Sequence, residues 1–233
     1  MFEHSNSNSN VAKVLSDRGY EVLGIDYRGH GKSEGKRGYF ENMDIVLDDL
    51  KNFVKVTEDM YKDKTQNKFI LGYSMGALYA NLVSLKLPDH FNGLAMIAPP
   101  FVIDTKKYEV WLKIGNFLRN IIPSLPLLRI KCIKYNIYFT YYYLVNITNK
   151  AISDYLQNDP LIYKGRLRIG TGLTLLESIK YSNENLEKVS TPFYILHGAL
   201  DKESDPKGST IFYEKTKIMD KTIILHDSNI KYL

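Results

Sequence analysis

The sequence predicts an α/β architecture: a mostly parallel sheet flanked by helices and interrupted by an all-helical insertion. Two observations carry this. Short apolar runs suited to buried strands alternate with helical patterns up to residue 98 and again from 193 to 225, and such alternation builds a parallel sheet covered on both faces. From Phe101 to about Ser182 the alternation stops, and long apolar-aromatic helical patterns take over, with Tyr135, Tyr138, Tyr141, Tyr142 and Tyr143 among them. An insertion between two strands of such a sheet forms a cap over its C-terminal edge, where α/β proteins keep their sites. Residues 1–98 and 186–233 are assigned to the core, and 99–185 to the helical cap or lid.

The elements follow in order. Val11 to Arg18 reads as a short helix closed by Gly19, a residue suited to a C-terminal cap. Tyr20 to Ile25 is a compact apolar run, expected as a buried strand ending at Asp26 and the turn Gly29-His30-Gly31. Met43, Val46, Leu47, Leu50, Phe53, Val54, Thr57, Met60 and Tyr61 recur at three- and four-residue steps, which predicts a helix with one buried stripe. Phe69-Ile70-Leu71 is a short strand, and Gly76 to Leu87 a helix that Pro88 stops. Leu94 to Ala98 is a strand ended by Pro99 and Pro100. Beyond the insertion come a strand at Phe193 to Leu196, a helix at Lys207 to Lys217 and a strand at Thr222 to Leu225.

Composition narrows the classes of function. The chain has 233 residues, 44% of them hydrophobic and 24% charged, which excludes wholesale disorder. Its 31 basic and 26 acidic residues are spread along the chain with no Lys/Arg block, so a nucleic-acid partner is not expected. The single cysteine, Cys132, excludes an internal disulfide and any multi-cysteine metal site. Met1 to Asn10 is polar and lacks the apolar core of a secretory signal. The uncharged apolar stretch Tyr135 to Asn149 is interrupted by Asn136 and Asn146 and falls short of the ~20 residues a membrane-spanning helix needs. A soluble, cytoplasmic chain is the expectation.

The chemistry is concentrated in Gly72-Tyr73-Ser74-Met75-Gly76, a G-x-S-x-G pentapeptide between a predicted strand and a predicted helix. In that context a sharp strand-to-helix turn holds the serine in a strained conformation at the top of the sheet. The positions two before and two after approach each other closely and must be small. The Met75 backbone N–H, at the start of the helix, is then set to donate to an oxyanion.

These residues, together with Asp26-Tyr-Arg-Gly-His-Gly-Lys-Ser-Glu-Gly35, resemble the monoacylglycerol lipase and lysophospholipase branch of the α/β-hydrolases. The resemblance continues in Asn158-Asp-Pro-Leu161 at the end of the lid, in Pro192-Phe-Tyr-Ile-Leu-His-Gly198 and from Asp201 to Gly208, and so covers nearly the whole chain. It implies an α/β-hydrolase fold with a helical lid and a triad in the order Ser, Asp, His. Ser74 is the implied nucleophile and Asp201, in Gly198-Ala-Leu-Asp201, the implied acid, with Asp205 as the second choice. No metal or organic cofactor is implied.

The family pattern breaks at the base. A serine hydroxyl is a poor nucleophile until a positioned base takes its proton. Counted without gaps from Asp201, the family's histidine position falls at Lys231. Of His4, His30, His90, His197 and His226, only His226 follows the acid, and it lies five residues early, at the end of a predicted strand. His30 and His197 match family positions that are structural, and His90 sits in a loop after a helix. The base therefore stands open between His226 and Lys231, and a lysine would need its pKa lowered from ~10.4 towards neutrality by burial. Glu3-His4-Ser5 resembles the tail of the family's HGxGEHS oxyanion loop, which puts the second oxyanion donor at about Met1. The N-terminal strands before that loop and the final C-terminal helix are expected to be missing.

The aromatic lid suits a ligand with one greasy and one wet end, a small lipid ester. Arg119, Arg129, Lys131 and Lys134 suit peripheral contact with an anionic membrane surface or a phosphate headgroup. From Lys106 to Lys134 the lid carries one acid, Glu109, against seven Lys/Arg, which argues against a site for a substrate amine and hence against peptide hydrolysis. Two readings remain: a serine ester hydrolase acting on lysophospholipids or monoacylglycerols, or a catalytically inactive remnant of such an enzyme that binds lipid or a partner.

Overall fold

A computed structural model describes residues 2–61, 67–102, 109–126, 154 and 157–227. Most of the tyrosine-rich part of the predicted lid, Cys132 and Lys231 lie outside the described residues. The chain divides into two compact units, one of residues 61–113 and 174–233, the other of residues 2–60 and 114–173.

The first unit holds a parallel sheet in the order β1-β2-β3-β4, formed by β1 (Phe69–Tyr73), β2 (Gly93–Ile97), β3 (Phe193–Gly198) and β4 (Lys221–His226). One face carries Leu94, Met96, Phe193, Ile195 and His197, all buried, and helices pack against it. The helix that follows β1 (Met75–Lys86) is apolar nearly all round and buries Ala77 to Ser84. Phe193 meets Phe212, on the helix Lys207–Lys215, edge to face at 5.2 Å between ring centroids. Phe212 in turn stacks on Phe101 at 4.3 Å. The register puts Phe69, Leu71, Tyr194, Ile224 and His226 on the other face, where all five are exposed.

The helix Ile169–Glu184 places Thr174, Ser178 and Ser182 along one buried stripe, at helical steps of four. Their hydroxyls are satisfied at close range. Ser178 Oγ lies 2.7 Å from the Thr174 carbonyl and 3.3 Å from the Tyr79 hydroxyl, and Asn81 Nδ2 donates to Ser182 Oγ at 3.0 Å. Small polar side chains let two helices approach closely while leaving little unpaired.

The second unit is built around Phe2, Phe40, Val46, Leu47, Leu50, Ile162, Ile169 and Leu173, all buried. In chain order its helices are α1 (Ser9–Ser16), α2 (Met43–Met60), part of α4 (Glu109–Arg119) and the first residues of α5 (Ile169–Glu184); the other two helices named above are α3 (Met75–Lys86) and α6 (Lys207–Lys215). Gly19 does close α1: it takes φ 88, and the Tyr20 N–H returns to the Leu15 carbonyl at 3.2 Å. The α2 stripe is buried only over its first half, and Met60 is 62% exposed.

One predicted element is corrected. Tyr20 to Ile25 is neither a strand nor buried, with Tyr20, Val22 and Leu23 all exposed. An apolar run becomes a strand only where a neighbour supplies the ladder hydrogen bonds, and among the described residues none pairs with it.

Candidate active site

Ser74 joins β1 to α3 with φ 51 and ψ −119, a left-handed conformation that a residue with a Cβ rarely adopts. The strain is held from both sides. The Ser74 N–H donates to the Ile97 carbonyl of β2 at 2.8 Å, while the Ser74 carbonyl accepts from the N–H groups of Ala77 and Leu78 at 2.9 and 3.2 Å. Gly72 faces Gly76 so closely that a Cβ there would drive into the Gly76 carbonyl and the Ala77 amide. Gly72 is therefore a steric requirement of the turn. Met75 opens α3, and the first N–H groups of a helix have no intrahelical acceptor, so its amide sits at the positive end of the helix dipole.

Just past β2, Ala98 is also at positive φ, 47, and its N–H reaches the Leu196 carbonyl at 2.9 Å. After β3 the chain turns at Ala199-Leu200-Asp201. Asp201 is 8% exposed, and its Oδ1 accepts the N–H groups of Glu203 at 2.8 Å and Ser204 at 3.1 Å. Its Oδ2 lies 3.5 Å from His197 Nε2. Asp205 instead accepts the Lys207 N–H at 3.0 Å, an N-terminal contact of α6 on the exposed surface.

The histidines divide cleanly. His197 is fully buried, and both ring nitrogens are engaged: Nδ1 with Ser209 Oγ at 2.7 Å and Nε2 with the Ser204 carbonyl at 3.0 Å. His90 lies between α3 and β2, at the opposite end of the sheet from Ser74. His226 is the last residue of β4 and exposed, and its carbonyl accepts the Ala199 N–H at 2.8 Å. Lys231 lies outside the described residues, as does Met1.

In the second unit, the tail of the oxyanion-loop motif is tied down by two carboxylates. His4 Nε2 is 2.8 Å from Asp159 Oδ2, and the Ser5 N–H donates to Asp26 Oδ1 at 2.7 Å. Asp26 Oδ2 takes the Lys32 N–H at 2.8 Å, so one side chain spans the Gly-rich turn. Burial pushes the Asp26 carboxyl up, but the Lys32 and Ser5 N–H groups outweigh it and hold the group below the usual carboxylate range. Phe2, where the family pattern has glycine, takes φ 71, and its carbonyl accepts the Tyr163 N–H at 3.1 Å. His30 is 1% exposed between Phe2 and Phe40, and burial pushes its pKa down to about 4. With Nδ1 3.0 Å from the Arg28 carbonyl, His30 is a neutral structural imidazole at neutral pH.

Sequence reasoning marked Ser74, Met75 and Asp201 but not the roles of Asp26, Asp159 and His197 as holders of loops. The signal for these was present in the motifs; what was missing was the pairing of residues far apart in the chain. Among the described residues no group of three or more His, Cys, Asp or Glu is arranged to hold a metal, and no helix is long and apolar enough to cross a membrane.

The model of the family described as serine aminopeptidase S33 matches residues 1–229. The chain is 29% identical over 228 residues to monoglyceride lipase of Homo sapiens, covering 97% of this chain and 70% of that protein. It is 31% identical over 227 residues to caffeoylshikimate esterase of Arabidopsis thaliana, covering 93% and 64% respectively. The solved monoacylglycerol lipase of Paleococcus ferrophilus shares the fold with a TM-score of 0.80 at 23% identity, over 97% of this chain and 80% of that one.

Proposed function

The chain is an α/β-hydrolase that belongs to the serine aminopeptidase S33 family, and on that premise we propose that it hydrolyses lipid esters, monoacylglycerols or lysophospholipids, through an acyl-serine intermediate. The observation that carries the reading is the strained Ser74 turn at the C-terminal end of β1. Strain of that kind persists only where the surroundings over-determine it, and it presents the hydroxyl for attack. The names of the relatives, monoglyceride lipase and caffeoylshikimate esterase, favour esters over peptides, as does the basic lid.

In this mechanism Ser74 Oγ attacks the acyl carbonyl carbon as its proton passes to the base. The Met75 N–H donates to the oxygen that becomes negative. The intermediate collapses, the alcohol leaves with the base's proton, and water repeats the sequence on the acyl-serine. Asp201 orients the base.

Topology constrains where the base comes from. β1 and β3 are two strand spacings apart, about 10 Å, which leaves room for an imidazole between Ser74 and Asp201. β1 and β4 are three spacings apart, about 14 Å, which exceeds the reach of an imidazole still on the end of β4. His226 serves as base only if it leaves the sheet edge; Lys231 serves only with its pKa lowered by burial. The second reading, a folded but catalytically silent protein that binds a lipid or partner, follows if neither residue reaches Ser74. Peripheral membrane contact through the basic residues of the lid fits either reading.

Turnover of monooleoylglycerol, lysophosphatidylcholine and an aminoacyl anilide by the purified chain separates the possibilities. Ester cleavage that Ser74→Ala abolishes is the expected result. Faster anilide cleavage would overturn the ester assignment, and no turnover by a folded chain would favour the silent binder.

A further inference from the structure

We infer that His197 is a positioning residue for the catalytic acid, its imidazole locking the loop that presents Asp201. The inference rests on reading Asp201 as the base-orienting acid. Nε2 faces two acceptors, the Ser204 carbonyl at 3.0 Å and Asp201 Oδ2 at 3.5 Å. Neither can donate with the carboxylate ionised, so Nε2 carries a proton. Nδ1 lies 2.7 Å from the Ser209 hydroxyl, which can donate to it, so in the neutral ring the tautomer is fixed as Nε2–H.

The result is a chain of hydrogen bonds at the C-terminal end of β3, running from Ser209 through His197 and Ser204 to Asp201 Oδ1. Ser209 on α6 holds one edge of the ring, while the other edge holds the Ser204 carbonyl. The Ser204 N–H, with that of Glu203, holds Asp201 Oδ1. His197 and Ser209 are fully buried and Ser204 is 4% exposed, so water does not compete for these bonds. Oδ1 is committed to two backbone donors, and Oδ2 lies against the Nε2 edge of the ring at 3.5 Å, so the imidazole bears on both oxygens, on Oδ1 through Ser204 and on Oδ2 directly. An acid that orients a base must itself be held, and groups that hold such residues carry costs comparable to their own.

The test uses two substitutions that mimic opposite edges of the ring. In His197→Gln the side-chain amide places a donor near the Nε2 position; in His197→Asn the amide reaches only the Nδ1 position, and the donor is lost. With monooleoylglycerol, His197→Asn is expected to lower kcat about 10- to 100-fold with KM unchanged, and His197→Gln to recover most of the loss. Amide hydrogen exchange at Glu203 and Ser204 provides a readout independent of turnover: faster in His197→Asn, near wild type in His197→Gln. Equal exchange in the two variants, or a loss confined to KM, overturns the proposal. If His197→Asn does not melt cooperatively, Ser209→Ala carries the test, expected to change kcat and exchange in the same direction; no change overturns it. If Asp201→Asn retains full turnover while the exchange pattern holds, the assignment of the acid fails and the positioning of the loop stands.

Discussion

Ser74 can be left-handed because everything around it is small or hydrogen-bonded. A methyl group on Gly72 would strike the backbone of Gly76 and Ala77, so Gly72→Ala is expected to lower Tm by about 3–10 °C, checked by thermal melt. His30 supports a different prediction. Its folded pKa, about 4, lies below its ordinary 6.5, so the unfolded chain binds the proton more readily. The stability this contributes is fully present above pH 6.5 and is lost as pH falls towards 4, up to about 3 kcal/mol. Melting curves at pH 7, 5.5 and 4 should show that slope in the wild type and a flatter one in His30→Phe, which keeps an aromatic ring between Phe2 and Phe40. The G-x-S-x-G residues were legible in the sequence because the chemistry needs them adjacent. His197 was legible only as a motif residue, since its partners Ser204 and Ser209 gain meaning once α6 is folded against β3.

At the scale of elements, the strand-helix pairs around Ser74 and Asp201 follow from sequence because each is local: an apolar run, a turn, then a helical pattern. Tyr20 to Ile25 does not, because a strand requires a partner, and hydrophobicity does not name one. The base is a problem of the same kind. β4 delivers His226 to the sheet edge three strand spacings from β1, and what the chain does next decides the base. Turnover of His226→Ala and Lys231→Ala is the check: a working base lost costs several orders of magnitude in kcat, whereas the other variant stays near wild type. Loss in neither would remove both candidates. The contact of α3 with α5 makes a separate prediction, that Ser178→Leu overpacks the buried stripe and destabilises by about 1–3 kcal/mol in a urea titration, while Ser178→Ala is milder.

For the whole molecule, the fold and family are established by agreement of the parallel sheet, the strained serine turn and the match over residues 1–229. Fold alone does not specify reaction, and the function rests on one group of residues at one sheet edge. The central claim is that Ser74 is an activated nucleophile. It is tested most directly by labelling the purified chain with a fluorophosphonate probe beside Ser74→Ala, with a thermal melt of each. The account predicts covalent labelling of the wild type that disappears in Ser74→Ala while both chains melt cooperatively. A cooperatively melting wild type that takes no label, or labelling that survives in Ser74→Ala, would contradict it.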